Sequence, residues 1–448
     1  MHGSMLRQPA ACPPRYGFAI PLAALALFGI FALLWATGLQ PIGREALRLV
    51  GLAPGPFPFL DIHAVLAAAQ CRRLGIDVYV MNPCDVFGRV HVYSPLWLPL
   101  VPPGIGTAAT PWVGAGLDLL FIASLGFLFR PRANRDLVVL VLAVFSPATF
   151  YAVERANNEL VIFLLVIIAG LLQPGSRRSR FFSYGLIVGA ALLKYFPAVL
   201  LALAAREKRR DALLVAVGAA LAAALLVIVY RGTLGRALAN IPHLSYYTDS
   251  FSARNLPFGL ATGLPWLKDP LPVALALFAI MTALALVWLR RAAVLLDAAA
   301  LDWTTREVRF AAIGGLLLTG VFFAGQNVNY RCIHFLFVLP GLLQLRAAVR
   351  QPQARRFLSL LIAASLFLLW EQCFQRAMVV AFNARPSDHI AMIFWVAREL
   401  VWWWTIAGVA AVALCHLRRL PLLAAGAVWL AALVGSNRGS VAAATRDD

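Results

Sequence analysis

Residues 17–36 form an uninterrupted apolar run, preceded by Arg7 and Arg15. At 1.5 Å per helical residue such a run crosses a hydrocarbon core of about 30 Å. Backbone in lipid must satisfy its own hydrogen bonds, so a helix is the form open to it. Further apolar segments recur near 112–129, 136–152, 159–173, 181–205, 212–230, 271–289, 308–325, 332–349, 357–375, 391–415 and 420–435. With 61% hydrophobic and 13% charged residues, the chain lies far from the ~45–50% apolar and ~25% charged composition of soluble domains. No convincing small-residue cleavage site follows the first run, which reads as an uncleaved anchor with a cytoplasmic N-terminus.

Basic clusters set the expected sidedness. Arg130, Arg132 and Arg135 follow one apolar segment, and Arg177, Arg178 and Arg180 follow another; the positive-inside rule puts both in the cytoplasm. The segment 181–205 carries a second basic cluster at its far end, Arg206 and Lys208 to Arg210. Both ends stay inside if the segment is a hairpin broken at Lys194-Tyr195-Phe196-Pro197, with the break buried in protein or lining a cavity. The later clusters, Arg290-Arg291, Arg306, Arg309, Arg346 to Arg356 and Arg418-Arg419, then fall inside too. The expectation is an all-α polytopic membrane protein, 1–448 as a single membrane domain, with roughly eleven full crossings plus this short re-entrant hairpin. Its large first extracytoplasmic loop is 39–111 and a second is 231–270. The net charge of +19 sits mostly in short loops, where topology and anionic head groups account for it. Nucleic acid is not an expected partner, since no soluble module remains to bind it.

Within the first loop, Ile62 to Leu74 reads as a helix lying at the interface, with Ala64, Val65, Ala68 and Cys71 on one face. Turn chemistry follows at Asn82-Pro83, Phe87-Gly88 and Ser94-Pro95. Cys71 and Cys84 are either a disulfide or two separate thiols; sequence does not choose. Asp61 directly follows the apolar Phe57-Pro58-Phe59-Leu60. Two readings stand for it: an N-cap of the helix beginning at Ile62, or a general base at a membrane-facing site. His63 is either a solvated interfacial side chain or a substrate ligand. Lys194, inside an apolar hairpin, must snorkel to water or find an anion such as a lipid phosphate. Arg155, Arg254 and Arg331 are rival phosphate partners with bidentate geometry. Asn157 and Asn158 serve equally as helix caps or as a hydrogen-bonding wall for a sugar. The remaining polar residues expected at outer span ends include Tyr246, Asn327 and Tyr330, with His334 one turn beyond Tyr330 either facing the same cavity or packed in the core. No spacing characteristic of a metal site is present, and no metal or cofactor is expected.

The first loop resembles that of a known family. Asp61 is followed by Gly75-Ile76-Asp77-Val78-Tyr79 and by Val92-Tyr93-Ser94-Pro95-Leu96; Arg155-Ala156-Asn157-Asn158-Glu159 and Gly185 to Pro197, with its Lys194-Tyr195-Phe196-Pro197 ending, come in the same order. This resembles polyprenyl-phosphate-sugar-dependent membrane glycosyltransferases of the GT-C fold, nearest to glycosyltransferase family 87, over about residues 18–350. The resemblance implies a GT-C-like bundle in the plasma (inner) membrane, active on the extracytoplasmic side. It implies inverting transfer of mannose or a related sugar from a polyprenyl phosphate donor to a lipid-linked or cell-envelope glycan acceptor. Asp61 would be the base; Lys194, Arg254 and Arg331 would hold the donor phosphate; His63, Tyr93, Arg155, Asn158, Tyr246, Asn327 and Tyr330 would line the substrates. Two rivals are a transporter or flippase of a lipid-linked saccharide, which predicts internal pseudo-symmetry, and a structural subunit in which Asp61 only caps.

Overall fold

The computed structural model describes residues 17–247, 250–264, 267–299, 301–382 and 389–425. Arg7, Arg15 and most of the expected span 420–435 lie outside them. Helix α1 (Ala19–Ala36) is followed by the short α2 (Gln40–Leu49) and α3 (Leu60–Arg73). Next come α4 (Thr110–Leu128), α5 (Asn134–Val144), α6 (Pro147–Glu154), α7 (Glu159–Leu172) and α8 (Arg177–Leu193). A 3-10 segment, Phe196–Arg206, leads to α9 (Arg209–Ala239), α10 (Asn255–Thr262), α11 (Leu271–Asp297) and α12 (Arg306–Ala324). A second 3-10 segment, Asn329–His334, leads to α13 (Phe335–Ala348), α14 (Pro352–Leu369), α15 (Glu371–Phe382) and α16 (His389–Leu417). Two-residue strands β1 (Ser250–Phe251) and β2 (Asn327–Val328) pair antiparallel, with Phe251 opposite Asn327.

Among the described residues eight helices are long and apolar enough to cross a membrane, or nine if the bent pair α5–α6 is one span. That is short of the expected eleven. The segment near 159–173 forms α7 of 14 residues, about 21 Å long and too short to cross upright. The second loop is also shorter than expected, because α9 continues through a kink at Tyr230 to Ala239 and α10 occupies part of the remainder.

Three local features shape the end of the bundle that carries the polar residues. Pro147 has no N–H to continue α5, and Ser146 Oγ accepts from Thr149 N at 3.3 Å, so α6 restarts at an angle of 47° to α5. The chain from α8 to α9 doubles back: Arg177 Nη2 reaches Asp211 Oδ1 at 2.7 Å and Arg180 Nε reaches Glu207 Oε1 at 2.6 Å. Lys194 is therefore at the turn of a folded-back segment whose two basic ends are together. At the centre, α12 packs against α13 and α16; a Cβ on Gly314 would come within 2.7 Å of Phe337 Cβ, so glycine sets that approach.

The first loop differs from the interfacial helix expected there. Helix α3 is buried: Ala67, Ala68 and Cys71 have no exposure, because Val78, Tyr79 and Leu98 fold over it. Cys71 and Cys84 are bonded as a disulfide, which clasps this cover to the helix. The amphipathic helix is instead α2, where Gly43 and Leu47 are buried while Arg48 and Leu49 are not.

Candidate active site

Helix α3 is capped by backbone, not by Asp61. Phe59 N donates to Glu154 O at 2.7 Å and Asp61 N to Arg155 O at 3.1 Å, so carbonyls of the α6–α7 turn satisfy the free N–H groups of its first turn. Phe59 takes the N-cap position in the left-handed region, φ 68°. Its ring lies where a Cβ on Gly114 would be, so only glycine fits there. The N-cap reading of Asp61 is thus corrected: the helix starts one residue before it, and its carboxylate is free for other partners.

Those partners come from the same turn. Asn157 Nδ2 donates to Asp61 Oδ2 at 2.6 Å and Arg155 Nη1 to Oδ1 at 3.4 Å. Asn157 Oδ1 accepts from Glu159 N at 2.8 Å, which fixes the amide so that its NH2 group must face Asp61. Ala156, between them, adopts φ 40°; a non-glycine residue there is strained by about 1–2 kcal/mol. Arg155 also lies over the Tyr151 ring at 4.6 Å. The other carboxylates of the loop are committed elsewhere, Asp85 to Arg89 at 2.8 Å, Asp77 to Arg236 at 2.6 Å and Glu45 to Arg48.

Glu159, the first residue of α7 and fully buried, gathers the second group. Its Oε2 meets Lys194 Nζ at 2.5 Å and Arg331 Nε at 3.6 Å, and its Oε1 meets His334 Nε2 at 3.0 Å. A carboxylate suits a helix N-terminus, and here it stands against two permanent or near-permanent cations, leaving positive charge in excess. Lys194 Nζ is 5.7 Å from the Tyr93 ring and 5.8 Å from the Tyr330 ring. Tyr330 is 5.9 Å from Tyr151, closing a path of contacts back to Arg155 and Asp61. Burial and then the Asp61 charge push the Tyr93 phenol well above its ordinary range, so it faces the site as a neutral hydroxyl.

The remaining expected residues divide. Asn327 is buried with its Nδ2 spent on Val321 O at 2.7 Å and its Oδ1 accepting from Arg331; it orients Arg331 and has little left for a sugar. Asn158 is fully buried, and neither side-chain atom finds a hydrogen-bond partner among the described residues. Arg254 is exposed at the start of α10 and makes no side-chain contact with the Glu159 group among those residues. Tyr246 packs near Phe258 and its carbonyl accepts from Trp395 Nε1 at 2.8 Å, apart from Asp61. His63 turns away from Asp61: Thr110 Oγ1 donates to Thr107 O, so His63 Nδ1–H donates to Thr110 Oγ1 at 3.0 Å. Burial lowers the His63 pKa against the pull of Asp85. Burial would raise Asp85, but hydrogen bonds and charge from Arg89 outweigh it and hold this carboxyl below the usual carboxylate range. No group of three or more His, Cys, Asp and Glu among the described residues is placed to hold a metal ion.

A model of glycosyltransferase family 87 matches residues 90–318, half of the chain. The chain belongs to glycosyltransferase family 87. Glycosyl transfer at a membrane is accordingly its class of activity. The family 87 match takes in Tyr93, Asn157, Glu159 and Lys194, and ends before Arg331 and His334; Asp61 precedes it. No curated protein and no solved structure matches this family 87 chain.

Sequence reasoning passed over Asn157 as the partner of Asp61, Glu159 as the hub of the cations, and His334 as its ligand. A signal existed for Glu159, a carboxylate opening an apolar helix, which demands a buried cation somewhere in the fold.

Proposed function

We propose that the protein is an inverting glycosyltransferase that moves a sugar, mannose or a related hexose, from a polyprenyl phosphate to a lipid-linked or envelope glycan acceptor. The observation that carries this reading is a carboxylate released from capping, Asp61, beside a buried group with surplus positive charge, Lys194 and Arg331 around Glu159. The acceptor oxygen bonds to the anomeric carbon as Asp61 takes its proton. The bond from that carbon to the phosphate oxygen breaks, its electron pair stays on the phosphate, and the leaving group gains a charge. Lys194 and Arg331 stabilise that charge in a dry site, where it is worth most, and Glu159 keeps both cations in place. Asn157 and Arg155 orient Asp61, since a base must be held within reach of the proton it takes. Arg254, exposed, is left out of this scheme.

The basic ends of the bundle support an extracytoplasmic site. Arg206 lies near Arg309 and Arg130 near Arg306, so the clusters gather at one end and Asp61 belongs to the other under the positive-inside rule. A Cys71–Cys84 disulfide fits an oxidising compartment. The test is transfer from polyprenyl-phosphate sugars by purified wild type and Asp61→Asn. Loss of a positioned base predicts a fall of about 10²–10⁴-fold in kcat, with the variant still folded. Full activity in a folded Asp61→Asn protein excludes Asp61 as the base, and lipid translocation without transfer by the wild type would favour a flippase.

A further inference from the structure

A second gathering of cations lies at the other end of the bundle. Helix α12 packs along the 3-10 segment Phe196–Arg206 with Gly320 against Val199 and Phe196, while Arg309 comes within electrostatic reach of Arg206. The two therefore run antiparallel. Arg331 lies over the Phe196 ring at 5.4 Å, so the Phe196 end belongs to the Glu159 group. The 11 residues of the segment, at about 2 Å each, put about 20 Å between that group and Arg206.

Arg306 and Arg309 are one turn apart on α12, so their side chains leave the same face. Arg306 and Arg206 repel Arg309, and Arg130 repels Arg306. Glu307 attracts both but forms an ion pair with neither among the described residues. The neighbouring carboxylates are spent: Glu207 accepts from Arg180 and Tyr184, and Asp297 pairs with Arg418 and Arg419. Arginines at the first and fourth positions of a helix also work against its dipole. Their placement costs stability unless an anion answers it.

Hydrogen bonding makes the same demand. Arg306 Nη2 and Arg309 Nε are buried without an acceptor among the described residues, and so are Trp303 Nε1 and Thr305 Oγ1 just before them. His416 Nδ1–H donates to Trp303 O at 3.0 Å and Arg419 lies over the indole at 4.9 Å, so Trp303 is held with its N–H unspent. Thr305 stands at the N-cap of α12, yet its side chain makes no capping bond. Buried N–H groups without acceptors are costly. Gln344 and Gln351 have unpartnered carbonyl oxygens, but a neutral amide takes an N–H without balancing charge. An anion does both.

We infer that the start of α12 binds a phosphate group, with Arg306 and Arg309 as its ligands and Arg206 and Arg130 adding attraction. Guanidinium offers paired N–H donors that match phosphate oxygens. Arg306 opens a helix apolar enough to span, which sets the site at the level of lipid head groups. The phosphate comes from an anionic lipid or from solution. Neither source involves Asp61 or Lys194, so the site stands apart from the transferase reading.

Full-length protein in dodecyl maltoside, a detergent without phosphate, is titrated with dioctanoyl phosphatidic acid, inorganic phosphate and dioctanoylglycerol while its thermal midpoint is followed. A ligand held by the folded state raises the midpoint with concentration. Wild type is expected to respond to phosphatidic acid and not to dioctanoylglycerol. Arg306→Gln with Arg309→Gln should weaken that response by about tenfold or more in apparent affinity, and without ligand should melt no lower than wild type, because repulsion is relieved. Arg346→Gln, whose arginine is held by Ser359 at 2.6 Å, should keep the wild-type response. An equal response to inorganic phosphate assigns the site to free phosphate, and a response to the lipid alone assigns it to a head group; the proposal holds in both. Equal responses to phosphatidic acid and dioctanoylglycerol overturn it, as does no response to either phosphate. A double variant that responds like wild type, or that melts well below it without ligand, overturns it too. If the double variant does not fold, Arg309→Gln alone is judged by the same criteria.

Discussion

Two buried charged groups meet the same short segment, and they have opposite balance. Around Glu159, one carboxylate faces Lys194 and Arg331. Around Arg398, one guanidinium faces two carboxylates, Glu399 at 2.7 Å and Glu371 at 3.8 Å. Residues 327–334 join the groups: Asn329 Nδ2 donates to Glu371 Oε1 at 2.5 Å, while Arg331 and His334 turn to Glu159. Glu371 also accepts from Trp402 Nε1 at 3.1 Å. The lesson is one of division. A group with surplus positive charge suits an anionic leaving group, and a group with every member tied to packed helices suits holding the segment still.

The largest effect expected from this contrast is on the Glu159 group. Lys194→Met removes one donor to developing charge and should lower kcat by about 10²–10³-fold. Glu159→Gln leaves two cations in a buried place without their counter-ion, a loss of about 3–5 kcal/mol in stability. The double variant Glu159→Gln with Lys194→Met restores charge balance, so its thermal midpoint in detergent should recover while its turnover does not. Recovery of both would make the group structural and erase the distinction from Arg398.

A smaller effect on turnover is expected at the second group. Glu371→Gln leaves Arg398 its nearer carboxylate, Glu399, and weakens the hold on Asn329 and Trp402, and should cost stability by about 1–3 kcal/mol. At temperatures where it stays folded, its kcat should lie within about tenfold of wild type, because Arg331 keeps Asn327 and Glu159. A loss as deep as that of Lys194→Met would show that the two groups act as one.

Much of this site was legible in the sequence for one reason: charge in an apolar setting is conspicuous. Asp61 and Lys194 stand out that way, and the basic residues at both ends of 181–205 mark a chain that turns back. Pairing was not legible. Glu159 meets Lys194 across 35 positions and His334 across 175, and a single sequence carries no record of which buried ions share a site. Direction was not legible either. Arg254 and Arg331 read alike, yet one side chain points outward and the other is held by Asn327 and Glu159. The cap reading of Asp61 failed because its competitors were backbone carbonyls from 154–155, which leave no trace in side-chain chemistry. Helix α2 did carry a signal, with Gln40, Arg44 and Arg48 recurring at helical spacing in a segment placed within the first loop without a helix of its own.

The mildest prediction separates the groups by acid. The first loop covers the Glu159 group through Tyr93, 5.7 Å from Lys194 Nζ, and that loop contains His91. His91 is packed edge-on between Tyr79 and Tyr93 at 5.3 and 5.6 Å, and burial pushes its pKa down to about 4 from 6.5. The folded loop therefore binds fewer protons than an opened one between those values. Stability of the closed loop is full above about pH 6.5 and falls as pH drops toward 4, by up to about 3 kcal/mol. His63, also lowered by burial, contributes in the same direction, so the readout is a difference between proteins. Amide exchange across 78–93 should accelerate on acidification in the wild type and less so in His91→Phe, which keeps an aromatic ring between the two tyrosines and cannot titrate. Exchange in α16, beside Arg398, should show no such difference between the two proteins. An equal acid response of the loop in both would remove His91 as its cause, and with it the acid-sensitive cover that distinguishes the Glu159 group.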